Sequence, residues 1–520
     1  MKMLIRILCV CVLTALLTTS TRAATHTVRV QNLSFVPSNL TVTNGDTVMF
    51  EGGNNFHTVT GNSASEPFCG SGFFTTCSVT FNELGTFSYR CIPHAGAGMR
   101  GVIRVVSGVL SELTVVIHGQ GTVTPDLNGQ PLFVGDASVI TAVPAADSLF
   151  AGWTGGVTSN LPRLSFIMQS NLVLEANFVV NPYPARNQTY NGLFYVEDSV
   201  QHDSSGSFRF VLTKTGKYTG TMVQGGKRRA FRGQFGLDGT ATNAVKRAGT
   251  NDLLVSLSLE SDLGAERVEG TVTDPVAGWE AELEGDLAPV FSGTNASPYR
   301  GRYTFIVTSE DDVPFGHGFG TVMVDPKGNA RLSGTLADGS RVAQSVPLSE
   351  EGLCPLYAAL YRGKGSILSW VGFSTNPAPA ASLYGELSWI KPSLPGKYYP
   401  DGFTNEMDIV GSIYLPPKTN AVLELDMGSV TFEGGNLTTP FTNTVMLAPK
   451  NQFINLTTNQ PLVLKLSPPA GLLNGTVKLK DNDVDKKLSF KGAVLQRQNM
   501  AAGFFLSTNQ SGSVLLEPSP

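Results

Sequence analysis

The sequence predicts an all-β fold, and three observations predict it. Glycine (56) and proline (30) are abundant in the 520 residues, while charged residues make up only 15%, a composition suited to short strands joined by tight turns. Apolar residues alternate with polar ones over short runs, as in Val28/Val30, Leu40/Val42 and Ile103/Val105, which is the period of a half-buried strand. No long segment has the apolar spacing of an amphipathic helix. The chain is too long for a single core, so several domains are expected.

Residues 1–23 read as a secretory signal peptide that is not part of the fold. Lys2 and Arg6 give it a basic start, Leu8–Leu17 an apolar run and Thr21-Arg22-Ala23 a cleavage site. The run is too short for a comfortable membrane span, and Cys9 has no lipobox ahead of it. Cleavage after Ala23 takes Lys2, Arg6 and Arg22 from the 37 basic side chains and none from the 41 acidic ones, moving the net charge from −4 to −7. That balance argues against nucleic acid as a partner. The expectation is an exported protein, periplasmic or extracellular, with no transmembrane span after cleavage. The closing residues GSVLLEPSP carry no sorting motif or apolar tail.

Residues 24–107 form the first domain. Val48/Phe50, Val79/Phe81 and Phe87/Tyr89 continue the alternation, with turn signals at Asn44-Gly45-Asp46 and Leu84-Gly85 between the runs, a pattern expected of a β-sandwich. Near its end YRCIPHAGAGMRG (Tyr89–Gly101) sets Cys91, His94 and Met99 in a C-x2-H-x4-M array, and His57 in NNFHTVT supplies a fourth candidate. Two imidazoles, one thiolate and a weak axial thioether are the ligand set of a type 1 (blue) copper ion. The expected geometry has Cys91 ending one strand, Val102 beginning the next and His57 at the end of a neighbouring strand. Gly96 and Gly98 allow the loop to turn, and Pro93 restricts the backbone beside His94.

Three further cysteines follow the signal: Cys69, Cys77 and Cys354. Cys69 and Cys77 flank GSGFFTT, which can fold back and bring them together. An oxidising compartment favours their disulfide, with free thiols or extra metal ligands as the alternatives. Cys354 is left as a buried core thiol.

The segments FVPSNLTVTNGDTVMF, FHTVT and GTFSYRCIPHAGAGMRGVIRV together resemble the plastocyanin/azurin family of cupredoxins. The resemblance implies a Greek-key sandwich with copper at one end, carrying electrons between redox partners without enzymatic turnover. It also implies that the edge of His94 is the electron port, inside an apolar patch of Ile92, Pro93, Ala95 and Ala97. Two departures stand out. Arg90 occupies the place before the cysteine where the family often has an aromatic residue, with Tyr89 one further away. Thr58 follows the first histidine where plastocyanins usually have Asn, which bears on the hydrogen bonds around the thiolate.

Residues 112–179 form a second, small β unit that resembles the bacterial repeat of internalin-B type, with G-x-G-x-V at Gly119–Val123, Phe150 to Trp153 and Ala176 to Phe178. The resemblance implies an extracellular spacer or adhesive element. Residues 180–188 read as a linker. The remainder is β-rich, with units expected at 189–296, 297–415 (a weak repeat of the one before) and 416–520. Tyr190 onward is echoed from Tyr299, Thr215–Met222 from Lys327–Leu336, and Gly475–Gly492 is a diverged third copy. Such repeats suggest hairpins stacked into sandwiches or barrels.

Other candidates reduce to structural roles. His26, His118, His202 and His317 are isolated, and six histidines do not build a trinuclear copper centre. No G-x-S-x-G, H-E-x-x-H or P-loop pattern occurs. Asp481, Asp483 and Asp485 open like a calcium loop, but Lys486 and Gly492 stand where its glycine and glutamate belong. Lys227-Arg228-Arg229 reads as a solvated hairpin tip, with a binding surface as the alternative. The expectation is a non-enzymatic carrier of one copper ion, with unidentified redox donor and acceptor proteins and a tail that contacts a cell surface or matrix. An adhesive scaffold with an incidental copper domain, and a copper-buffering protein, are the alternatives.

Overall fold

The computed structural model describes residues 23–519 apart from 53, 55, 64–65, 184–186, 260–265, 309–312, 377–381, 419 and 482–483. Residues 1–22 of the 1–23 signal segment therefore lie outside the described residues, as does Asp483. The chain divides into two compact units, Met1–Asn181 and Pro182–Pro520. No helix among the described residues is long and apolar enough to cross a membrane. The all-β expectation holds, and the helical elements are single 3₁₀ turns.

The first domain contains β1 (Thr25–Gln31), β2 (Ser34–Val36), β3 (Asn39–Thr43), β4 (Thr47–Glu51), β5 (Thr60–Gly61), β6 (Thr76–Thr80), β7 (Gly85–Arg90) and β8 (Arg100–Val106). They form two four-stranded sheets, ordered β2-β1-β4-β6 and β3-β8-β7-β5. The alternation read from the sequence is what fills the space between them: Val28, Val42, Val48, Phe50, Phe81, Tyr89, Ile103 and Val105 are all buried. β8 starts one residue after Met99 and ends at Val106, about 20 Å away at the usual strand rise. At that far end the second module makes contact. Ser107 N–H donates to the Val134 carbonyl (3.3 Å), and Arg104 pairs with Asp136 at 2.9 Å. The tether and the loop bearing Cys91, His94 and Met99 therefore occupy opposite ends of the sandwich.

In the second module the three sequence signatures converge. Phe150 and Phe178 are directly opposite in an antiparallel pair, their rings 5.7 Å apart. Any Cβ on Gly121 would strike the Phe178 ring at 2.5 Å, so glycine is required where the strand passes over that ring. Trp153 is buried and donates its indole N–H to the Pro162 carbonyl at 3.1 Å.

The second unit contains three eight-stranded, barrel-like sheets, over 188–288, 301–413 and 427–518. In each, successive strands form antiparallel hairpins except at one break, between the fourth and fifth strands of the first two sheets and the third and fourth of the last, and the first strand pairs with the eighth. The first strands of the first two sheets, Gln188–Tyr195 and Gly301–Thr308, share one burial pattern. That pattern aligns Tyr190 with Tyr303, not with Tyr299 as the sequence echo suggests. Lys217–Gln224 and Asn329–Thr335 are both third strands. Gly475–Gly492 instead spans the fifth and sixth strands of the last sheet. Tyr183, within the stretch read as a linker, is buried and donates its hydroxyl to the Gly236 carbonyl, so it is anchored in the second unit.

Candidate metal centre

The loop between β7 and β8 is folded by its own backbone. The His94 amide donates to the Cys91 carbonyl (3.2 Å), the Ala97 and Met99 amides donate to the His94 carbonyl (3.0 and 3.2 Å), and the Cys91 amide donates to the Met99 carbonyl (3.1 Å). Ala95–Ala97 is a 3₁₀ turn closed by Gly98 at φ +84°, a conformation glycine adopts without steric cost. Gly96 has no positive φ, and a Cβ there would meet open space, so only Gly98 is needed for the turn. Cys91 follows β7 directly, and β8 begins at Arg100 opposite Arg90, two residues before the expected start at Val102.

His57 is not at a strand end. It lies on the crossing between the sheets, three residues before β5, and the crossing is pinned on both sides. The Phe74 amide donates to the His57 carbonyl at 3.3 Å, Val59 bridges to Gly70, and the Thr60 hydroxyl donates to the Gly70 carbonyl at 2.7 Å. Cys69, beside Gly70, is disulfide-bonded to Cys77 on β6, with Cα atoms 6.3 Å apart. The disulfide thus ties the support of His57 to the sheet.

These constraints bring His57, Cys91 and His94 together, their ligand atoms all within 4.8 Å of one another. The Cys91 Sγ is 3.7 Å from His57 Nδ1 and 3.3 Å from His94 Nδ1, and the two imidazole rings are 4.8 Å apart between centroids. Cys91 is buried, whereas both histidines are half-buried. Burial, and then the neighbouring His94 charge, hold the His57 pKa below its ordinary value, favouring the neutral ring that a metal requires. Met99 is 1% exposed and belongs to the same packed cluster as Cys91. Two imidazole nitrogens converging on one thiol sulfur, with a thioether in the packing around it, fit copper by their donor chemistry.

Thr58 is the residue whose contribution the sequence did not define. It is 1% exposed. Its amide donates to Cys91 Sγ at 3.4 Å, and its hydroxyl accepts the Ile92 amide at 2.8 Å. One residue thus fastens the His57 crossing to the cysteine sulfur and to the backbone just after it.

The surroundings of His94 are apolar and open: Ile92, Pro93 and Ala97 are exposed and Ala95 half-buried. Tyr89 points the other way. It is 1% exposed and packs at 4.7 to 5.2 Å against Phe35, Phe50 and Phe68. Arg90 faces outward instead, donating to Asn62 Oδ1 at 3.0 Å. Among the remaining histidines, His26 pairs with Asp46 at 2.9 Å. His202 is within 3.0 Å of the Ser366 hydroxyl. Asp481 is taken by Lys486 at 2.5 Å, and Cys354 is a buried free thiol.

Residues 23–106 match the model of the copper binding proteins of the plastocyanin/azurin family. Plastocyanin A/B of Petroselinum crispum is 35% identical over 85 residues, covering 14% of this chain and 88% of that protein. The chain belongs to the plastocyanin/azurin family through its first domain. A chloroplastic plastocyanin of Fritillaria agrestis is 39% identical over 88 residues, covering 14% of this chain but only 53% of that protein. The solved oxidized form of plastocyanin from Dryopteris crassirhizoma is 23% identical, covering 15% of this chain and 99% of that one, with a TM-score of 0.13. Residues 111–182 match the divergent InlB B-repeat domain. Copper binding is thus a property of the family to which the first domain belongs.

Proposed function

We propose that the protein is an exported single-electron carrier and not an enzyme, with one copper ion held by His57, Cys91 and His94 and weakly by Met99. The observation that supports this most is the convergence of both Nδ1 atoms on the Cys91 sulfur, in a loop and crossing fixed by hydrogen bonds and a disulfide. Copper bound there supplies a one-electron couple that needs no proton. The chain's own part is to keep that environment unchanged between oxidation states. The Thr58 amide steadies the thiolate, the loop's internal hydrogen bonds fix His94, and the packing around Met99 excludes water. His94 is the port, because its half-buried ring lies among exposed apolar residues. Tyr89 offers no second surface route, being turned into the core.

Donor and acceptor are redox proteins that dock on the apolar end. The repeat module and the three barrel-like sheets position the carrier or attach it to a surface or matrix, in the periplasm or outside the cell. The test is the visible spectrum of the full mature chain after Cu(II) addition, beside Cys91→Ser. An intense thiolate-to-copper charge-transfer band, absent from the variant and bleached and restored by a reductant and an oxidant, is the expected result. A colourless copper-loaded protein would overturn the reading.

A further inference from the structure

The basic segment Lys227-Arg228-Arg229 is a hairpin tip with Lys227 and Arg228 exposed, as its sequence suggests, and it also borders a crevice. It opens the strand Lys227–Gln234. Arg229 is half-buried, with one guanidinium nitrogen sequestered and unpartnered, while Arg228 faces a crevice of about 270 Å³ within the Pro182–Pro520 unit. Asn191, Arg209, Thr221 and Arg228 of the first barrel-like sheet line it, with Gln344 and Ser345 of the second. No carboxylate lines it.

Strand register creates this grouping. Asn191, Arg209 and Thr221 are direct neighbours across three strands, and Arg228 is opposite Val223 in the next hairpin. Alternation puts them on the face opposite the buried Tyr190, Phe210 and Met222. Arg209 and Arg228 have no ion-pair or hydrogen-bond partner among the described residues. Asn191 is 4% exposed, and its carboxamide likewise has no partner among the described residues while lining the crevice. A carboxamide without a partner forgoes a hydrogen bond, and two guanidinium groups lining a crevice that no carboxylate lines lack a counter-charge there. A ligand bearing several acceptor oxygens and a negative charge relieves both.

We propose that this crevice binds a small molecule carrying a tetrahedral oxyanion, a phosphate or a sulfate ester. Guanidinium forks donate paired N–H bonds to such oxygens. The carboxamide of Asn191 and the hydroxyl of Thr221 supply neutral donors beside them. The volume suits a ligand of about monosaccharide size, near the lower end of small-molecule sites. This inference does not depend on the copper reading.

The test is calorimetric titration of the full mature chain with glucose 6-phosphate and with galactose 6-sulfate at about 150 mM salt, where long-range screening is strong. Glucose is the uncharged control. At least one ester is expected to bind and glucose is not, and preference between the esters identifies the source. Arg209→Gln and Arg228→Gln are each expected to weaken binding by about tenfold or more, with the melting profile unchanged because both side chains are exposed. Asn191→Ala is a third, independent probe of the same crevice. Failure of both esters to bind at millimolar concentration, or unweakened binding by the Arg209→Gln/Arg228→Gln double variant, would overturn the proposal.

Discussion

Replacing Thr58 by alanine removes the hydroxyl that accepts the Ile92 amide at 2.8 Å and a methyl group from a side chain that is 1% exposed. The lost hydrogen bond costs about 1 kcal/mol and the lost apolar contact about another 1 kcal/mol. For a domain of this size, about 2 kcal/mol lowers the melting temperature by about 8–16 °C. Thr58→Ser keeps the acceptor and is expected to lose about half as much. The assay is scanning calorimetry of the full chain without metal, following the transition that added Cu(II) raises. The backbone N–H to Cys91 Sγ survives in both variants, so the charge-transfer band should keep its position while the domain melts earlier. A Thr58→Ala transition within about 2 °C of the parent, or a serine variant as unstable as the alanine one, would refute the assignment of Thr58 as the fastener.

Two further outcomes are expected. Cys69→Ser/Cys77→Ser opens a loop of sequence separation 8 and should cost about 2.5 kcal/mol by the chain-entropy relation. It should also speed copper loss to a chelator, since the disulfide supports the His57 crossing; an unchanged rate would show that the crossing is held without it. In the second unit, burial pushes the Asp274 carboxyl upward, but this is outweighed by the Ala277 amide, Arg247, Asn251 and the Val276 amide, which hold it well below the usual carboxylate range. Because the folded pKa is depressed, its contribution is fully present above the unfolded value of about 3.9 and is lost as pH falls below it. Asp274→Asn should therefore destabilise the second unit at neutral pH and flatten its acid melting curve below about pH 4; parallel curves for parent and variant would contradict this.

The first domain was legible because its information is local. Alternation at Val48/Phe50 and Ile103/Val105 marks the core face wherever the strands pair, and Cys91, His94 and Met99 are too close in sequence to escape one loop. The same period even determines that Tyr89 and Arg90 face opposite sides. The glycine reading was half right: Gly98 closes the turn with a positive φ, whereas Gly96 has no steric reason to be glycine.

Other features depend on contacts made far along the chain. The sequence determined the ligand chemistry, the order of the modules and the all-β class, all of which follow from residue type and short-range period. Only the tertiary structure decided that Thr58, 33 residues from Cys91, would bond to the cysteine sulfur and to the Ile92 amide that follows it. It also decided that the first and eighth strands of each later sheet pair, and that Arg209, Arg228 and Asn191 share one crevice. A polar side chain's role is set by which donors and acceptors the fold brings to it. That pairing is governed by sheet register, which one strand's sequence does not encode alone.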